Sequence, residues 1–178
     1  MAVRRTLQVG EPLLRFKAKR VAKIRSRAVT QVVRDLVDTM REHELVGISA
    51  PQIGTSMRIF VTEIRKTKTR PDADIDELRV FINPKIVAYG KSKQYGWEGC
   101  GSVADGTLFA KVMRPTSVVV EAFDNDGMKF TLRANNLLSR VIQHEYDHLE
   151  GVLFTDLADI KTLANREQYL KLKARRSV

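Results

Sequence analysis

The chain has 178 residues, 43% of them hydrophobic, with 31 Lys plus Arg against 21 Asp plus Glu for a net charge of +10. That content can bury one good core at a common single-domain size. There is no apolar run long enough for a membrane span, and the opening Met-Ala-Val-Arg-Arg lacks the hydrophobic segment of a secretion signal. With Cys100 as its one cysteine the chain can form no internal disulfide, which suits a reducing cytoplasm where a thiolate stays unoxidised.

In chain order, Val29, Val32, Val33, Leu36, Val37 and Met40 recur at three- and four-residue steps, the pattern of an amphipathic helix. Strand candidates follow at 58–64, 79–83, 86–89, 117–123 and 128–132, rich in β-branched and aromatic residues. The last two flank Asp124-Asn125-Asp126-Gly127, a hairpin signal. Residues 65–78 turn polar around Pro71 and read as an exposed loop. A helix next carries Leu137, Leu138, Val141 and Ile142 as its buried stripe. Asn135 and Asn136 offer cap oxygens, and Gly151 sits where a left-handed stop belongs. A C-terminal helix over about 156–173 leads into a basic tail, 171–178. The sum predicts one α+β domain over 1–178, with antiparallel or mixed sheets around the 137–148 helix.

The chemistry concentrates in Glu98-Gly99-Cys100-Gly101-Ser102 and Gln143-His144-Glu145-Tyr146-Asp147-His148. His144 and His148 are four apart, so on a helix both rings face one side and can converge on one ion. Glu145 is offset and free to act as general base. H-E-x-x-H is shared by many zinc hydrolases, so the third ligand decides the class. One metalloprotease pattern runs on through Gly151 to a histidine, but here Phe154 stands in that place. A downstream glutamate is a second possibility, with Glu167 the well-spaced candidate in a polar helical segment. His43, between Glu42 and Glu44, reads as a solvated or capping residue, which leaves Cys100. Taken alone, a lone cysteine is more often a small buried hydrophobe.

These residues resemble the peptide deformylase family over nearly the whole chain. Leu7-Gln8-Val9-Gly10-Glu11-Pro12-Leu13-Leu14-Arg15 is similar to its usual start. Gly47-Ile48-Ser49-Ala50-Pro51-Gln52 resembles the end of G-x-G-x-A-A-P-Q, Glu98 to Ser102 resembles E-G-C-x-S, and Gln143 to His148 matches Q-H-E-x-x-H. The resemblance implies a family-like fold around the ligand helix and a metal held by Cys100, His144 and His148, with water in the fourth position. It implies Fe2+ as the ion, with Ni2+ or Co2+ as working substitutes; Zn2+ suits the same ligands. Glu145 would move the proton, while Gln52 and the Gly101 N–H would stabilise the oxyanion. The implied reaction removes the formyl group from formyl-methionine on nascent chains. Val46, Gly47 and Gly99 match the positions that bind the extended peptide. By helical spacing Leu137 and Val141 line the methionine pocket, plain core being their other reading.

Three departures stand out: Leu45 where the first motif opens with glycine, Ser49 for its first alanine, and Gly101 for the leucine after the cysteine. The loop 103–109 is longer than the common form. All touch the rim of the site, so substrate preference is the property they put in play. Two other functional classes remain: a general metalloprotease using Glu167, and a deformylase-like protein of altered or lost activity that binds ribosome or RNA through its basic faces. Because nascent chains emerge from the ribosome, the basic C-terminal helix and tail suggest ribosome contact, without sequence-specific nucleic-acid reading.

Overall fold

The computed structural model describes residues 2–67 and 74–175; the middle of the expected 65–78 loop and the end of the basic tail, 176–178, lie outside the described residues. In chain order the elements are α1 (Arg27–Glu42), β1 (Gly47–Ser49), β2 (Ile59–Ile64), β3 (Asp76–Tyr89), β4 (Lys93–Gly99), β5 (Leu108–Pro115), β6 (Ser117–Phe123), β7 (Lys129–Asn135), α2 (Asn136–Leu149), α3 (Phe154–Leu157), β8 (Ala158–Asn165) and α4 (Arg166–Ala174). Short 3-10 turns, one of them Ala50–Ile53, join some of these.

Five strands form an antiparallel sheet in the order β1-β2-β3-β6-β7. Alternation along β2 explains the consecutive apolar residues Ile59, Phe60 and Val61, because both faces are covered. Ile59 and Val61 join Ile82 in a cluster with Val29, Val33, Leu36, Val37 and Met40 of α1. Phe60 points the other way and stacks on Phe81, ring centroids 4.5 Å apart, in a cluster that includes Ile142 and Leu149 of α2. The expected α1 starts where Ser26 caps it, its Oγ accepting from Val29 N at 3.3 Å. The expected β6–β7 hairpin turns at Gly127, φ +76°. The segments 79–83 and 86–89 belong to one strand, β3, irregular between Ile82 and Lys85. Asn83 there has φ +52°, and its side chain exchanges two 2.8 Å hydrogen bonds with the Val21 main chain.

A second antiparallel sheet, β4-β5-β8, has no counterpart among the expected strands. It covers a cluster of Cys100, Val103, Ala110, Val112 and Phe154. The C-terminal helix expected at 156–173 is corrected by it: residues 158–165 are strand β8, and helix resumes only at α4. Leu, Ala and Lys give that stretch helical propensity, but pairing with β5, Leu108 opposite Asn165 and Lys111 opposite Asp159, overrides it.

The ligand helix α2 lies against the five-stranded sheet on one side and is tied by ion pairs to β4 and β5 of the other. Asn135 occupies its N-cap without a side-chain cap bond; the entry is fixed instead by Asn136 N donating to Thr116 O at 2.8 Å. Gly151, φ +76°, provides the expected left-handed stop.

Candidate active site

Cys100 directly follows β4, while His144 and His148 lie one turn apart on α2. Their ligand atoms all lie within 4.8 Å of one another, and His148 Nε2 is 3.2 Å from Cys100 Sγ. Atoms bonded to one ion at about 2.0–2.3 Å must gather in this way, so the three form a metal-ligand cluster. Phe154, where another ligand would stand in a different hydrolase class, instead packs its ring 6.2 Å from that of His144. Glu167 is exposed on α4 and pairs with Lys171 at 2.6 Å, outside the cluster. His43 is the C-cap residue of α1 and lines the rim of the site.

The two histidines sit in different electrostatic surroundings. Burial pushes the His148 imidazole well below its usual range, leaving a neutral ring with a lone pair to give. For His144 burial works in the same direction, but hydrogen bonds with Cys100 and Glu98 outweigh it and favour positive charge on the ring. His144 Nδ1 meets Glu98 Oε2 at 3.0 Å, which orients the ring and leaves Nε2 for the ion. Burial would raise the Glu98 carboxyl; hydrogen bonds from Arg114 and His144 hold it well below the carboxylate range. Arg114 grips Glu98 with two bonds of 2.8 and 2.9 Å and Asp147 with one of 2.6 Å. Arg140 adds a 2.7 Å bond to Glu98. This network fastens β4, β5 and α2 around the ligands.

Glu145 is 3% exposed, and its Oε2 has no hydrogen-bond partner among the described residues. Burial pushes this carboxyl up to about 7. It lies directly beneath Gly47, where an added Cβ would come within 2.8 Å of Glu145 Oε1 and of Val141 Cγ1. That position in β1 must be glycine for α2 to approach so closely. Gln52 is held by its carbonyl end: Oε1 accepts from Ser49 N at 2.8 Å and Ser49 Oγ at 3.0 Å. Its NH2 is thereby turned inward, 3.4 Å from Cys100 Sγ. The carbonyl of Gly101 is fixed by Gln8 Nε2 at 2.8 Å and Thr6 Oγ1 at 3.2 Å, and Val9 N donates to Ser102 O at 2.7 Å. The N-terminal segment thus straps down the loop after the cysteine.

A cavity of about 220 Å³ opens over these groups. Every expected substrate contact lines it: Val46, Gly47, Gly99, Leu137 and Val141. Leu137 is 37% exposed and is therefore wall, whereas Val141, at 5%, is both wall and core.

Residues 3–163 match the family model described as polypeptide deformylase. The chain belongs to the peptide deformylase family. It is 39% identical over 180 residues to peptide deformylase 2 of Vibrio vulnificus, covering 98% of this chain and all of that protein. Against peptide deformylase of Thermomicrobium roseum the identity is 42% over 164 residues, 92% of this chain and 90% of the relative. A crystal structure of the Acinetobacter baumannii class I type b enzyme with Met-Ala-Ser bound superposes with a TM-score of 0.83 at 31% identity, covering 88% of this chain and 98% of that one. The Ehrlichia chaffeensis enzyme gives 0.80 at 26% identity, with 99% and 98% covered. With its Cys-His-His cluster intact, the chain is a metallohydrolase of this family, whose reaction removes the N-formyl group from nascent polypeptides.

Several deformylase residues escaped the sequence. Arg114, 5% exposed, sits outside any motif, and the only hint was a charge within an apolar-alternating stretch. Trp97, Phe109, Arg166 and Tyr169 line the cavity too, brought there by the unforeseen second sheet and the helix that follows it.

Proposed function

We propose that Glu145 carries the proton in formamide hydrolysis and that Cys100, His144 and His148 hold a ferrous ion beside it. One observation carries this reading: three ligand atoms gather within 4.8 Å, and two of their residues, Cys100 and His144, line the same cavity as Glu145, whose buried Oε2 has no partner among the described residues. When bound, a divalent cation supplies Lewis acidity, drawing charge from the formyl oxygen and making water a stronger acid. Glu145 takes a proton from the attacking water as the C–O bond forms at the formyl carbon. The same carboxyl gives that proton to the amine nitrogen as the C–N bond breaks, and formate and a free N-terminus leave. Charge gathering on the formyl oxygen is met by Gln52 Nε2 and the Gly101 N–H, the first already turned inward by Ser49.

The formylated peptide lies extended in the cleft. β1 and β4 are each an edge strand of their sheet, which supports main-chain pairing at Val46, Gly47 and Gly99. Leu137 and Val141 take the methionine side chain. Iron is the assigned ion because the family resemblance implies it; one thiolate and two imidazoles accept Zn2+, Ni2+ and Co2+ as well. The enzyme acts in the cytoplasm, where one unpaired cysteine stays reduced, and no described helix is long and apolar enough to cross a membrane. Exposed Lys171, Lys173 and Arg175 favour a salt-sensitive contact with ribosomal phosphates.

The test is Glu145→Gln, assayed with a formyl-Met-Ala-Ser peptide. Formate release should fall by roughly 10²–10⁴-fold with the metal retained. Wild-type turnover in that variant would remove Glu145 from the mechanism. Ribosome sedimentation that ignores both salt and removal of residues 171–178 would remove the docking contact.

A further inference from the structure

The family match ends at residue 163, yet α4, which begins at Arg166, reaches back to the active-site cavity. Its nine residues include none that is buried, and its anchorage is aromatic. The Tyr169 ring stacks on Phe109 with centroids 4.2 Å apart and planes within 7°, and meets Trp97 edge-on at 5.6 Å. Phe109 in turn packs against Gly99: a Cβ there would come within 2.6 Å of its ring. Gly99, Phe109, Trp97, Tyr169 and Arg166 all line the cavity that Cys100, His144 and Glu145 also line. Arg166 is exposed and forms no ion pair among the described residues. A helix that needed only to cover the sheet would not place an aromatic ring and an unpaired guanidinium at the mouth of a catalytic cleft.

We infer that α4 is a wall of the peptide-binding cleft, with Tyr169 contacting the side chain beyond formylmethionine and Arg166 favouring a carboxylate further along the peptide. This deepens the deformylase reading and rests on it. The methionine pocket is built from α2, so a substrate ending at methionine never reaches α4. A longer peptide leaving along β4 and Gly99 runs beside the Phe109–Tyr169 stack. Aromatic faces hold apolar and planar groups of many shapes, and Arg166 adds a charge preference that α2 does not supply.

The test compares formyl-Met-amide, formyl-Met-Phe-Glu and formyl-Met-Phe-Lys on metal-loaded wild type, Tyr169→Ala, Tyr169→Phe and Arg166→Glu. Tyr169→Ala should raise KM for both tripeptides on the order of tenfold, leave formyl-Met-amide within about twofold, and be rescued by Tyr169→Phe. Arg166→Glu should reverse the preference between the Glu and Lys peptides. Trp97 is the only tryptophan in the chain, so its fluorescence provides a readout that needs no turnover: the product Met-Phe-Glu should perturb it in wild type and less so in Tyr169→Ala. Equal loss on all three substrates in the variants, or no change on any, would overturn the inference, while wild-type hydrolysis of formyl-Met-amide would leave the deformylase reading standing. Absence of turnover by wild type on every substrate would strike the deformylase reading, and the Trp97 titration would still decide the role of α4.

Discussion

Ser49 occupies the carbonyl end of Gln52 and turns its NH2 toward Cys100, which suits the proposed role of oxyanion donor. Gln52→Leu should therefore cost roughly 10²-fold in kcat, and Ser49→Ala, which keeps the Ser49 N–H bond, should cost less than about tenfold. Formate-release kinetics check both, and a Gln52→Leu enzyme at wild-type kcat would contradict the role. Leu45 and Gly101 make a second linked pair. Leu45 Cδ1 lies 3.6 Å from the point where a Cβ on Gly101 would sit, so space vacated after the cysteine is filled from across the cleft. Restoring leucine at 101 should crowd Leu45, and Leu45→Gly should relieve it. A double-mutant cycle on kcat/KM is expected to show a coupling of about 1 kcal/mol or more; simple additivity would contradict it. The ligand cluster, and the placement of Glu145 and Gln52 in the cavity beside it, were legible because each residue sits in a short motif whose spacing carries chemistry. Arg114 and Tyr169 were not, because their partners are distant in sequence and meet them only through folding.

Among the elements, α1 and the β6–β7 hairpin were legible because local signals agree with the tertiary outcome: a 3.6-residue apolar period and an Asp-Gly turn. The β4-β5-β8 sheet was not. Strand β4 carries two glycines and a lysine, and half of β8 is Ala, Leu and Lys, so it is pairing of each with β5 that makes them strands. That sheet places Cys100, and its bond to α2 is ionic. Arg114→Met leaves the buried Glu98 and partly buried Asp147 carboxylates short of their cation and should destabilise the protein by about 3–5 kcal/mol in urea unfolding. Gly47→Ala forces β1 and α2 apart against a 2.8 Å approach to Glu145 and should cost about 1–3 kcal/mol. An unchanged urea midpoint in either variant would contradict the packing described.

In the whole molecule, α2 is clamped between two sheets, and the metal site spans the join: two ligands come from the helix and one from the end of β4. A bound cation is then a cross-link as well as a catalyst. Chelation should lower Tm and reloading should restore it, because metal at a thousandfold its Kd adds up to about 4 kcal/mol of stability. The most direct test of the account is metal content per chain in anaerobically purified wild type and Cys100→Ala, read beside formate release from formyl-Met-Ala-Ser. Near-stoichiometric metal and activity in wild type, with both lost in the variant, is the predicted result. Full metal occupancy in Cys100→Ala would contradict it.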